Sequence, residues 1–509
     1  MSTLMAIRKR LDAHHFRERL FTRALAMIAV WLIVATLVPT VIRAQGGQPT
    51  VPDPTIPVNT MWTLVAAFLV FFMQAGFLAL EAGCSRPRET VNLLLEDFID
   101  VALTGVLFYL FGFAFMFGAG NSFIGTTGFG LMGDGFSWAE TYKTLDAAGN
   151  VFDFGVPLGA FWLFQFAFAS TAATIASGAM IGRTGFWANL GYTALVSGVV
   201  YPIVGHWLWH PQGWLAVGGA LDFAGSTVVH TMGAMVAIAG VITLGPRLGR
   251  RFVKDGGGPM PYHNYTLITL GTLILWFGWF GFNPGSTLSG MNVNAIALIA
   301  FNTNIAGCTG ALAAMFLVFF QTKKWDLGYT CNGCLAGLVA ITAPCAFVSP
   351  LSAAIIGLVG GVLVVLVTQA EEALGLDDVV AAFPVHGANG IWGTLAIGLF
   401  ADKAFQFTLG DAAKVNGLLF GGGADQLIKQ LITSGSAVAF GFGVFVVFFM
   451  VLKSIGTLRV PAAVEVAGID VALHGTTAYV GQVMDPNDGT PKSVSDVKGL
   501  AAAKVGAGD

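Results

Sequence analysis

Long apolar runs separated by short polar breaks dominate the chain. A bilayer hydrocarbon core of about 30 Å takes about twenty helical residues. Eleven runs are long enough to cross it, at 60–83, 92–118, 156–181, 186–208, 222–245, 263–285, 292–321, 327–348, 351–370, 384–401 and 432–455. The tenth is short and rich in glycine, so its ends are the least defined. Residues 119–155 form the longest early loop, and 456–509 form a polar tail. Ahead of the first run, residues 1–23 carry Arg8, Lys9, Arg10, Arg17, Arg19 and Arg23, and an apolar stretch follows from Ala24 to Val41. That order reads as a secretory signal peptide over 1–44, cleaved near Ala44. Ile42 stands where a small residue is preferred, which leaves an uncleaved first helix as the alternative. Residues 45–59 form an external lead-in.

Composition supports the membrane reading. The 509 residues are 55% hydrophobic and 10% charged, whereas soluble domains carry about 25% charged residues. The mean hydropathy is +0.74. Sixty-seven glycines suit closely packed membrane helices. A net charge of −3 offers no basic surface for nucleic acid. The five cysteines lie in or beside apolar segments. Cys331 and Cys334 make a C-x-x-C with no second pair or nearby histidines, so they read as helix-packing residues.

Basic residues then set the orientation. Arg86 and Arg88 follow span one, Arg183 follows span three, and Arg247, Arg250, Arg251 and Lys254 follow span five. Lys323 and Lys324 follow span seven, and Lys453 and Arg459 follow span eleven. The intervening loops are poor in Lys and Arg, apart from Lys143 and the last outer loop with Lys403 and Lys414. The pattern places the N-terminus outside and the tail in the cytoplasm.

Two histidines share a local pattern. L-D-F-A-G-S-T-V-V-H carries Asp222 and His230, and D-V-V-A-A-F-P-V-H carries Asp378 and His386; each His follows its Asp by eight residues. Span five runs inward and span ten outward. Two five-helix halves of opposite orientation are the signature of an inverted-repeat transporter. Eight helical residues rise about 12 Å, so the two imidazoles approach the midplane from opposite sides. Ionisable groups at that depth usually line a pathway. The plainer alternative is a pair of structural histidines, and a metal would be under-ligated by two His alone. Asp222 and Asp378 stand where a carboxylate caps a first helical turn. Asp222 could also shape the field of an outer cation site.

Several segments, in order, resemble the ammonium transporter family (Amt/Mep/Rh). They are F-Q-F-A-F-A-S-T-A-A-T-I-A-S-G-A (164–179), G-A-L-D-F-A-G-S-T-V-V-H (219–230), W-F-G-W-F-G-F-N-P-G-S (276–286), A-G-L-V-A-I-T-A-P-C (336–345) and F-P-V-H-G (383–387). Trp209 and Ser286 favour the Amt branch over the Rh branch. The resemblance implies a homotrimer of eleven-helix subunits, each with its own narrow pore. It implies that Phe168, Trp209 and Ser286 bind ammonium at the outer face, with Phe164 adjacent and Trp279 secondary. Phe168 and Phe282 match a stacked pair that gates the pore. His230 and His386 match paired pore histidines, and Asp222 an aspartate needed for conduction. The tail T-L-R-V-P-A-A-V-E-V-A-G-I-D-V-A-L-H-G-T-T-A-Y (457–479) is similar to the family's cytoplasmic segment, which implies a PII-type signalling protein as partner. Glu96 and Asp97 depart from the pattern, where relatives often have Lys-Asn. So do Gly182-Arg183, where Glu-Arg is common, and the A-A-F-P before His386.

The expected protein is therefore an all-α polytopic membrane protein with a first repeat at 60–245, a second at 263–401, an eleventh helix at 432–455 and a cytoplasmic tail at 456–509. No enzyme signature, cofactor or metal site is expected. Ammonium matches potassium in size and charge but can lose a proton. An aromatic cage attracts the ion, an apolar pore penalises charge, and two imidazoles can accept and relay the proton. An ammonium sensor and an Rh-like channel for ammonia or carbon dioxide are the alternatives.

Overall fold

The computed structural model describes residues 54–479 except Asp134, together with the short strand pair Val483–Met484 and Pro491–Lys492. The expected signal peptide lies outside the described residues. Among the described residues, nine helices are long and apolar enough to cross a membrane. They are α1 (Thr55–Cys84), α2 (Thr90–Phe117), α3 (Leu158–Met180), α4 (Phe186–Val217), α5 (Ser226–Leu244), α6 (Tyr265–Thr287), α7 (Val293–Thr322), α9 (Pro350–Leu374) and α11 (Asp425–Ser454). Two shorter apolar segments complete the series. α8 covers Leu327–Thr342, and α10 runs from a π-helical start, Phe383–Ala388, into Asn389–Phe400.

The boundaries differ from the hydropathy reading in ways that have local causes. α1 begins at Thr55, inside the expected lead-in, and α11 begins at Asp425, before the apolar run at 432. In both, the extra turns carry polar residues that hydropathy discounts. α8 stops at Thr342 although the apolar run continues to 348. Pro344 has no N–H to continue the ladder onto Ala340 O. Ala343 is still helical in φ/ψ, and Cys345 N–H donates to Ile341 O at 2.8 Å before the chain turns away. The long early loop contains an antiparallel hairpin, β1 (Thr141–Leu145) with β2 (Val151–Pro157). It packs through Tyr142, whose hydroxyl donates to Phe117 O at the end of α2 at 2.5 Å.

Small residues let the helices approach closely, as membrane packing requires. A Cβ at Gly271 of α6 would meet Gly76 O of α1 at 2.5 Å, and one at Gly337 of α8 would meet Ala306 O of α7 at 2.2 Å. α3 and α5 sit at the centre, with 83% and 94% of their most apolar windows buried, while α11 at 28% is peripheral.

The tail folds back under the helices on one face. Gly185 N–H donates to Leu458 O at 2.9 Å and Val460 N–H to Arg183 O at 3.0 Å. Asp470 accepts from the N–H groups of Val91 and Asn92, both at 2.9 Å, and so caps α2. On the same face, Arg247 makes a two-pronged contact with Asp377 at 2.8 and 2.9 Å. Burial alone would raise the Asp377 carboxyl. Hydrogen bonds from Arg247 and the charges of Arg183 and Arg247 outweigh that and hold it below the usual carboxylate range.

Candidate pore and its histidine pair

Each histidine stands on a short π-helical segment opened by an aspartate. In the first, Asp222 accepts from Gly225 N–H at 2.8 Å with one oxygen and from Thr227 and Val228 N–H at 2.9 and 3.0 Å with the other. Gly225, at φ 111°, turns the chain into the segment Ser226–Thr231. In the second, Asp378 accepts from Phe383 N–H at 2.8 Å. Ala381 makes the corresponding turn at φ 59°, and Phe383–Ala388 follows. The stretch from Asp to His is thus not eight residues of helix. A capped turn comes first, and each His lies inside the π segment behind it. π-helical turns are rare and frequent at functional sites, although three others, Phe108–Gly112, Val196–Val200 and Asp470–His474, lie away from the pair. The wider turn widens the carbonyl spacing, and side chains answer it. Thr231 Oγ1 donates to Ser226 O at 2.9 Å, and Asn389 Nδ2 donates to Pro384 O at 2.9 Å.

The two imidazoles meet. His230 Nδ1 and His386 Nδ1 are 3.2 Å apart. One nitrogen must donate and the other accept, so a single proton lies between them and the rings hold opposite roles. Both histidines are buried, and His230 Nε2 has no partner among the described residues. The neighbours differ. His230 packs against both Phe282, at a centroid distance of 5.4 Å, and Trp279, at 5.3 Å, and those two rings lie 5.7 Å from each other. Trp279 is itself fixed by donating from Nε1 to Thr342 Oγ1 at 2.9 Å. His386 lies on the other side, 6.4 Å from the Phe77 ring.

Beyond Phe282 come further rings. Phe168 stacks on Phe282 at 4.0 Å, Phe164 lies 4.6 Å from Phe168, and Trp209 meets Phe168 edge-on at 6.0 Å. Trp209 Nε1 donates to Asp222 O at 2.7 Å, which ties this ring to the aspartate that caps the His230 segment. Ser286, one turn past Phe282, donates its hydroxyl to Phe282 O at 2.8 Å and keeps its oxygen lone pairs free to accept from a ligand. The structure therefore brings Phe168, Phe282, His230 and His386 into one stack, with Trp279 beside Phe282 and His230 and with Phe164 and Trp209 against the Phe168 end. Asp222 and Asp378 hold backbone and do not touch the stack with their carboxylates.

His206 and His210 belong elsewhere. The ring nitrogens of His206 lie 2.9 Å from Met116 O and 2.7 Å from Asn121 O, and His210 Nε2 lies 3.0 Å from Thr144 Oγ1. Both anchor the loop between α2 and α3.

Sequence reasoning passed over the residues on the far side of His386. A small cavity there is lined by Phe77, Glu81, Asn332 and Val385 along with His386. Asn332 also lines a larger opening, bordered by Asp378, Glu371 and Arg247, on the face where the tail packs. An ionisable residue inside an apolar span, Glu81 of α1, was the available signal.

The fold and this buried stack define a multi-pass membrane protein. A model of the Ammonium Transporter Family matches residues 61–479, and the chain belongs to that family. It is 42% identical over 465 residues to ammonium transporter Amt2 of Archaeoglobus fulgidus, covering 89% of this chain and 95% of that protein. Among solved structures, a protein described as a sensor Amt protein superposes with a TM-score of 0.73 at 37% identity, covering 82% of this chain and 98% of that one. Mep2 of Candida albicans superposes with a TM-score of 0.71 at 28% identity, covering 80% and 87%.

Proposed function

We propose that this chain recruits ammonium at the outer aromatic site, deprotonates it, and passes ammonia through a pore whose centre is the His230–His386 pair. The observation that carries the reading is the unbroken stack from Phe168 through Phe282 and His230 to His386. Phe168 and Trp209 supply aromatic π faces for a cation, and Ser286 supplies an acceptor. Phe168 and Phe282, at van der Waals distance, leave no room for a hydrated ion until they part. Behind them the surroundings are apolar, and a bare cation there would lose its hydration with little in return. Ammonia loses far less. The imidazole pair offers it a donor and an acceptor and can carry the released proton by exchanging roles. Potassium has no proton to give up, so the same passage rejects it.

In this reading α8 and α10 also cross the membrane, giving eleven spans. The matched Asp–turn–π–His segments of α5 and α10 support two halves of opposite orientation. The tail face is cytoplasmic, by the basic residues on its loops. A homotrimer and a PII-type partner at the tail remain part of the proposal through the family resemblance.

Uptake of labelled methylammonium into proteoliposomes tests the transport reading. Native protein should fill the vesicles faster than empty liposomes, and His230→Ala should bring uptake close to that background. A second reading, an ammonium sensor, is favoured by one observation, the 37% identity to the sensor Amt protein. Specific ammonium binding by the reconstituted chain without any uptake would select it.

A further inference from the structure

Glu81 is the feature of the pathway that the transport reading does not use. It sits in α1, 1% exposed, in the wall of the cavity that His386 and Asn332 also line. Its Oε2 has no hydrogen-bond partner among the described residues. That cavity has about 20 Å³ open to the centre of a water-sized molecule, room for one small polar guest. Gly178 of α3 is kept small by this side chain, since a Cβ there would lie 2.8 Å from Glu81 Oε1.

Behind Glu81 are three more buried carboxyls, Glu96, Asp97 and Asp100 of α2, each 2% exposed or less. Ser177 Oγ donates to Asp97 at 2.9 Å, and Asn189 and Thr193 donate to Asp100 at 2.8 and 2.6 Å. None of the four joins an ion pair among the described residues. Like charges this close in a low-dielectric interior cannot all ionise. Of the four, Glu81 is the member in the cavity wall.

We propose that the cavity bounded by Glu81, Asn332 and His386 is an inner ammonium site, in which Glu81 returns a proton to ammonia. The proposal rests on the transport reading and deepens it. In the step, the nitrogen lone pair of ammonia takes the Glu81 carboxyl proton. An N–H bond forms, the O–H bond breaks, and its electron pair stays on the carboxylate, which holds the new cation beside the Asn332 carbonyl. The carboxylate is recharged by the proton that the outer ammonium gave up and the imidazole pair relayed. One ammonium and one charge thus cross per cycle, and the product leaves through the opening bordered by Asp378 and Glu371.

The test is the current evoked by ammonium chloride pulses on supported proteoliposomes, for native protein, Glu81→Gln and Glu81→Asp. Gln keeps the shape and loses the proton, while Asp keeps the proton and loses length. Glu81→Gln should lower the current about a hundredfold, the low end of what a positioned acid contributes, with most of it restored in Glu81→Asp. Infrared difference spectra of the native protein should show a protonated-carboxyl C=O band that ammonium removes and that is shifted in Glu81→Asp, a readout that does not need the Gln variant to fold. A Glu81→Gln current near the native value, an Asp variant as impaired as the Gln variant, or native spectra that ammonium leaves unchanged would each overturn the inner site. Native protein with neither current nor methylammonium uptake would instead overturn the transport reading.

Discussion

The two histidine segments use one plan with different parts. Around His230, a carboxylate accepts three backbone N–H groups and a glycine makes the left-handed turn. Around His386, a carboxylate accepts one, its Oδ1 is unpartnered, and an alanine makes the turn. The first segment also anchors Trp209 and faces rings. The second faces a cavity with a carboxyl in its wall. The difference teaches that the cap of the His230 segment is fully committed to backbone donors, while the His386 side leaves carboxyl oxygens of Asp378 and Glu81 without partners among the described residues.

The largest effect expected is on the pair itself. Because one proton bridges the two Nδ1 atoms, either ring alone is without its partner. His230→Ala and His386→Ala should each lower ammonium-driven uptake about a hundredfold, and the double variant should be little worse than either single one. Uptake rates of the three variants check this, and simple additivity would break the paired account.

Next come the caps. Asp222→Asn puts an amide N–H against backbone donors and should destabilise by about 2–3 kcal/mol. Asp378→Asn can turn its amide into the unpartnered position and should cost about 1 kcal/mol or less. Thermal midpoints in detergent check the order, and equal losses would show that the caps are equivalent after all.

The turns are the smallest test. A Cβ at Gly225 would lie 2.7 Å from Val229 Cγ2 and 3.2 Å from the Trp209 ring. Gly225→Ala should cost about 1–2 kcal/mol in backbone strain and contact, and weaken ammonium recruitment through Trp209. Ala381→Gly relieves a left-handed alanine but loosens the unfolded chain, so its stability should stay within about 0.5 kcal/mol of native. The same melting curves, with apparent affinity for ammonium measured alongside, decide it.

Much of this architecture could be read from residue order. Apolar runs located the nine helices long enough to span, among the described residues, because hydrocarbon length imposes itself on composition. The repeated Asp-to-His spacing singled out Asp222, His230, Asp378 and His386 because a cap and its turn have a fixed length. Other features were hidden for physical reasons. The π-helical turns and the left-handed conformation of Ala381 leave no mark in residue type. α8 ends early because of Pro344, inside a run that hydropathy treats as uniform. Glu81 and His386 line one cavity only through the packing of α1, α3 and α10, and no local pattern joins positions so distant along the chain. The departures Glu96 and Asp97 looked remote from the pore motif, yet they lie behind Glu81.

Selection by loss of a proton is the central claim, and the ratio of ammonium to potassium current in reconstituted protein tests it most directly. The account requires a large ratio in native protein that falls toward unity when both His230 and His386 are replaced by alanine. A ratio that survives that double replacement intact would contradict it.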